Sequence, residues 1–134
     1  MTSSCSKGYF NGMKFTLDAR AGVNLIRAYS PTELHIGSRI VIASCIVTAD
    51  TLITEWRSGA VPPLSGADLA PLFALEPQIV LWGCGRAEQA PSPSVRAAVA
   101  QQAMVLEVMD LGAACRTFNI LVQEERRVAA ALFL

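Results

Sequence analysis

Residues 78–134, QIVLWGCGRAEQAPSPSVRAAVAQQAMVLEVMDLGAACRTFNILVQEERRVAAALFL, read as strand, glycine loop, helix, strand, helix, strand with almost nothing left over. QIVLWGCG is a short apolar run ending in Gly83-Cys84-Gly85, VLEVMD is a second and RVAAALFL a third. Apolar runs of strand length that alternate with helix-length segments form parallel βαβ units, whose ligand sites lie at the carboxyl ends of the strands. The sheet core is therefore expected to contain Ile79, Val80, Leu81, Val105, Leu106, Val108, Val128, Ala130 and Leu132.

The two intervening helices carry matching signals. Pro93 or Ser94 opens the first, and Val95, Ala98 and Val99 follow at helical spacing as a narrow apolar stripe. In the second, Leu111, Ala114, Cys115, Phe118 and Val122 share a face, while Arg116, Gln123 and the Glu124-Glu125 pair lie away from it. Asp110 is placed to cap that helix, where its carboxylate accepts from free amide groups at the positive end of the dipole. The last strand is apolar on both faces and is expected to be central.

Upstream, residues 23–56 supply the strand signals VNLIRAYS, ELHIGS, RIVIASCIVT and TLITEW, punctuated by Ser30-Pro31, Gly37-Ser38 and Ala49-Asp50, the pattern of antiparallel hairpins. The turn RSGAVPPLSG leads to a short helix, ADLAPLFALE, with Ser65 as N-cap and Pro77 as stop. Residues 1–12 are small and polar and are expected to form a disordered tail before a single domain at 13–134, with Met13 an alternative start.

Composition excludes several classes of function. Eleven Lys plus Arg balance eleven Asp plus Glu, so the basic face that duplex nucleic acid demands is not expected. The longest apolar stretch, Ile40 to Val47, is far short of the roughly 20 residues that span a bilayer, so no integral membrane segment is expected. No apolar signal-peptide core precedes it. Cys5, Cys45, Cys84 and Cys115 are widely spaced, with no C-x-x-C and a single histidine, His35. Four free thiols in a reducing, cytoplasmic setting are expected, with no metal and no cofactor.

The run from Leu81 to Leu132, together with the upstream IRAYSPTELHIGSRIVIAS and TEW, resembles the Mth938-like (DUF498) family. The resemblance covers about residues 23–134. It rests on the strand followed by Gly83-x-Gly85 and a proline, the EVMD strand end at Glu107 to Asp110, the element of Ala114, Thr117, Phe118 and Asn119, and the RRVAAAL finish. It implies an α/β fold with a mixed central sheet, built on the C-terminal βαβαβ region, beside a smaller N-terminal antiparallel sheet. The family includes the mitochondrial factor involved in assembling respiratory complex I. Relatives commonly place a glycine after the first helix of the βαβαβ region, where this chain has Ala103-Met104, so that turn must be made without the usual left-handed residue or be shifted by one position.

Candidate chemistry is thin. Gly83-Cys84-Gly85 followed by Glu107 or Asp110 resembles a dinucleotide fingerprint, but Glu88 stands where the third glycine belongs, so the loop reads as a tight turn in which the glycines supply positive φ. Cys84 has no histidine near it in sequence, and no complete catalytic constellation appears. The alternative to a capped helix and a solvated turn is a shallow polar pocket lined by Gly83, Gly85, Arg86, Asp110, Arg116, Thr117 and Asn119, suited to a small anion. Two functions follow. The favoured one is a non-enzymatic interaction or assembly factor that contacts protein partners through an apolar patch or forms a homodimer. The other is an anion- or small-molecule-binding domain, or weak enzyme, using the Gly83-Cys84-Gly85 loop edge.

Overall fold

The computed structural model describes residues 13–14, 22–54, 56 and 64–134. The expected tail at 1–12 and most of the RSGAVPPLSG turn lie outside the described residues. Strands β1 (Met13–Lys14), β2 (Ile26–Tyr29), β3 (Leu34–Ile36) and β4 (Arg39–Val41) form an antiparallel sheet in that order. A five-stranded sheet follows the order β6-β5-β9-β7-β8, from β5 (Cys45–Thr48), β6 (Leu52–Ile53), β7 (Ile79–Gly83), β8 (Val105–Met109) and β9 (Val128–Leu132). β7 runs parallel to β8 and β9, and β5 runs antiparallel to β9 and β6. The large sheet is thus mixed, as the family resemblance implies.

One apolar run serves both sheets. RIVIASCIVT reads as continuous, yet Ile42, Ala43 and Ser44 break it into β4 on the small sheet and β5 on the large one. Leu134 N–H donates to the Ser44 hydroxyl across the junction (3.1 Å). The N-terminal strand signals therefore build the smaller sheet and also supply the antiparallel half of the central one.

The helices α1 (Ala70–Phe73), α2 (Pro93–Gln101) and α3 (Leu111–Gln123) sort onto the two faces of the large sheet. Cys45, Val47, Leu81, Ala130 and Leu132 look toward α3 and the small sheet, and meet Phe118, Val122, Leu25 and Leu34 there. Ile46, Val80, Trp82, Ala129 and Ala131 look the other way, onto Leu69, Leu72, Val95 and Val99. This alternation is the strand period of two, with both faces buried, which is why β9 is apolar at every position. Before α1 the chain makes a 3-10 turn at Gly66–Leu69. Ser65 opens it by donating its backbone N–H to the Asp68 carboxylate (2.8 Å).

The expected core is corrected at β8. Val105 is 52% exposed and Val108 38% exposed, because β8 is the outer strand of its sheet. Only β7 pairs with it, and the two helices that flank it leave its outer side uncovered among the described residues.

Candidate functional site: the glycine-loop edge

Parallel pairing sets Gly83 beside Met109, so the residues that follow each strand emerge together. The Cys84 N–H donates to the Met109 carbonyl (3.1 Å), tying the two strand ends. Asp110 then caps α3, its Oδ1 accepting from the Ala113 N–H at 2.8 Å. Gly83, Gly85, Arg86 and Asp110 are in this way brought to one sheet edge. Arg116 is exposed and Thr117 half-buried; at 1.5 Å per residue, Arg116 lies about 9 Å down the helix axis from Asp110.

The loop is organised by a residue that the sequence did not single out. The side-chain oxygen of Gln89 accepts from both the Gly85 N–H (2.9 Å) and the Arg86 N–H (3.1 Å). Its backbone carbonyl accepts from the buried Trp82 indole (2.8 Å). Arg86 reaches Glu88 at 3.1 Å, with both side chains more than half exposed, a geometry that contributes little to stability. The backbone donors that would cradle an anion thus already serve Gln89, and the first-turn amide of α3 serves Asp110. Gln89 was findable, since a glutamine three residues after a loop residue can reach back to its amide.

Neither Gly83 nor Gly85 has positive φ, which corrects the expected turn; Gly83 is needed for its lack of bulk, while a Cβ on Gly85 would meet open space. Among the described residues the glycines with positive φ are Gly22 and Gly37. A Cβ on Gly83 would stand 2.7 Å from the Ala114 Cβ and 3.0 Å from a Leu132 methyl, so glycine here lets α3 lie close against the sheet. Gly112, in the first turn of α3, likewise leaves room for the Tyr29 ring, whose Cζ would stand 2.6 Å from an added Cβ.

Asn119 faces away from the loop edge and is buried. Its Oδ1 accepts from the Ile26 N–H and its Nδ2 donates to the Ile26 carbonyl, each at 2.8 Å. Among the described residues β1 pairs with Ala28 and Tyr29 and not with Ile26. The carboxamide therefore does what a neighbouring strand would do, and couples α3 to the small sheet. Its position, four residues after Cys115 on the buried face, was the signal that it is structural.

Thiol chemistry is suppressed. Burial pushes the Cys45 thiol up to about 12. Burial, then the neighbouring Cys45, pushes Cys115 to about 12 as well, against a smaller lowering by Arg116. Cys84 is raised by burial and then by the Asp110 carboxylate, so the loop cysteine is less thiolate-like than a free one. Among the described residues no three His, Cys, Asp or Glu side chains converge to hold a metal ion.

These features place the chain among small α/β domains with a mixed central sheet, and comparison with known proteins fits that class. The profile of the family described as Protein of unknown function (DUF498/DUF598) matches residues 26–133, and the chain belongs to that family. The Danio rerio protein named NADH dehydrogenase (ubiquinone) 1 alpha subcomplex assembly factor 3 is 32% identical over 117 residues, covering 86% of this chain and 66% of that protein. Its Mus musculus counterpart is 31% identical over 109 residues, covering 80% and 58%. The chain spans less than two thirds of the length of these relatives. A solution structure from Xanthomonas campestris superposes with a TM-score of 0.74 at 31% identity, over 89% of this chain and 92% of that one. A Mth938-like domain from Bordetella pertussis, at 23% identity and a TM-score of 0.57 over 90% and 92%, shares the fold.

Proposed function

We propose that this protein is a non-enzymatic assembly factor that binds a partner protein during construction of an NADH dehydrogenase-type complex. The observation that carries the reading is the similarity to assembly factors over 86% of this chain, within a family whose profile runs from β2 to the residue after β9. The loop edge supports it, since the Gly85, Arg86 and Ala113 amides are engaged by Gln89 and Asp110, and burial, then Asp110, raises the Cys84 thiol. The anion- or small-molecule-binding reading is not carried forward on that ground. No helix among the described residues is long and apolar enough to cross a membrane, so contact with a membrane complex runs through a protein partner in this reading. A cytoplasmic location belongs to the proposal and rests on Cys45, Cys84 and Cys115, which are free thiols.

The test is genetic and biochemical. Removing the chain from its native cell should lower the amount of fully assembled NADH dehydrogenase complex and cause subassemblies to accumulate. Re-expression should restore assembly, and a variant that loses the loop charges, Arg86→Ala with Glu88→Ala, should restore it equally. Normal assembly without the protein would overturn the assembly reading. Failure of the loop variant alone, with its fold intact, would return the loop edge to consideration as a site.

A further inference from the structure

Cys45 and Cys115 meet at the contact between α3 and the large sheet. Leu132 pairs with Cys45 on one side and with Gly83 on the other, so the three residues form one row across β5, β9 and β7. Ala114 marks where α3 crosses that row, since a Cβ on Gly83 would stand 2.7 Å from the Ala114 Cβ and 3.0 Å from a Leu132 methyl. Cys115 follows about 100° round the helix and about 1.5 Å along it.

Asn119 fixes the direction of that step. It stands four residues after Cys115 on the same flank of α3, and it bonds to Ile26 on β2. The chain enters β2 over the β5 side of the large sheet, where the Asn24 N–H donates to the Ala49 carbonyl (2.7 Å) and the Asn24 side chain to the Thr48 carbonyl (3.0 Å). The flank of α3 that carries Cys115 therefore faces β5, at the level of Cys45. Both cysteines are fully buried in one cluster, and of the charges that act on the Cys115 thiol that of Cys45 is the largest. Glycine at position 83 lowers α3 onto the sheet at this row, toward the Cα separation of about 4.4–6.8 Å that a disulfide requires. Cys84 is not a rival, because it packs with the cluster on the opposite face of the sheet.

We infer that Cys45 and Cys115 are a redox-responsive pair, which closes to an intramolecular disulfide and fastens α3 to β5 when low-molecular-weight thiols around the protein turn to their disulfides. One cysteine thiolate attacks a sulfur of glutathione disulfide, forming a mixed disulfide and expelling one glutathione thiolate. The other attacks the protein sulfur of that mixed disulfide, forming the Cys45–Cys115 bond and expelling the second glutathione thiolate. Two protein thiols thus give up two protons and two electrons, and the oxidant's S–S bond is reduced to two thiols. Neither cysteine is exposed, so the exchange runs through transient opening of the α3 face, and repacking shelters the closed pair from reductant. The free thiols are the open form of the pair. This inference does not depend on the assembly reading.

The full chain, held with glutathione disulfide in urea below its unfolding midpoint and then returned to buffer, should lose the mass of two hydrogens. Digestion without reductant should leave the peptides of Cys45 and Cys115 joined, and Cys84→Ala should give the same yield. The linked protein should unfold at a higher urea concentration than the reduced one, because the bond closes a long loop of the unfolded chain, and dithiothreitol should reverse the shift. Glutathione adducts without linked peptides, or linkage of either cysteine to Cys5 or Cys84 instead, would overturn the pairing. A linked protein with a lower midpoint than the reduced one would overturn it as well, by showing that the two thiols do not face each other in the native fold.

Discussion

Asn119 is a side chain whose loss this fold should feel sharply for its size. It satisfies the N–H and the C=O of Ile26 at once, both at 2.8 Å and both buried. Removing it leaves two polar groups without partners in a place that water does not reach, at a cost of about 1–3 kcal/mol for each. Asn119→Ala should therefore lower unfolding stability by roughly 2–5 kcal/mol in a denaturant titration. Asn119→Asp should recover only part of the loss, because a carboxylate can accept from the Ile26 N–H but has nothing to donate to its carbonyl. A near-native midpoint for the alanine variant would show that β2 does not need α3. The residue itself was visible in the sequence, but its partner lies 93 positions away, and helical spacing says only that Asn119 points inward, not what it meets.

Elements end where local chemistry lets them, and α2 ends against a conformational cost. The Met104 N–H donates to the Val99 carbonyl (3.3 Å) and the Ala103 N–H to the Ala100 carbonyl (3.0 Å), the bonding of a Schellman cap. Ala103 sits at φ 59°, the left-handed position that glycine fills without strain. The left-handed residue of this turn is thus an alanine. Ala103→Gly should consequently raise stability by about 0.5–1 kcal/mol, read as a higher midpoint at unchanged m-value. The number stays small because glycine also gains freedom in the unfolded chain.

A second prediction at this scale separates central from outer strands. Leu81, fully buried on β7, should not tolerate Lys, while Val108 at 38% exposure on β8 should accept it within about 1 kcal/mol. The sequence could not rank these two runs. IVLWG and VLEVM are both short and apolar, and which one is flanked on both sides depends on where β9 inserts. The elements of residues 78–134 were legible because strand and helix periods, Asp110 and the Pro93 start are all local signals. The division of RIVIASCIVT between two sheets was not, since nothing within the run says that its second half will pair with a strand some eighty residues later.

At the scale of the whole molecule, the face of the large sheet beneath α3 closes over two thiols. Cys45 on β5 and Cys115 on α3 belong to the same buried cluster as Leu81, Phe118 and Leu132. Burial pushes each up to about 12 from an ordinary value of 9.0. A folded-state value raised above the unfolded one means that the native protein holds its protons more tightly. The stabilising contribution is thus complete below the ordinary, unfolded value of 9.0 and is lost as pH rises from there toward 12. Each thiol should remove up to about 1.4 kcal/mol of stability per pH unit within that window. Stability should accordingly be flat in this term from pH 7 to about 8.5 and fall steeply above pH 9. Lysine and tyrosine titrations overlap the same range, so the comparison that isolates the thiols is with Cys45→Ala/Cys115→Ala. That variant starts lower at neutral pH because of its smaller side chains, but its stability should decline with a shallower slope between about pH 9 and pH 11. Parallel slopes for the two proteins, measured by urea titration at each pH, would mean that neither thiol is shielded from solvent in the native state. The α3 face of the sheet would then be more open than the packing of Phe118 against it indicates.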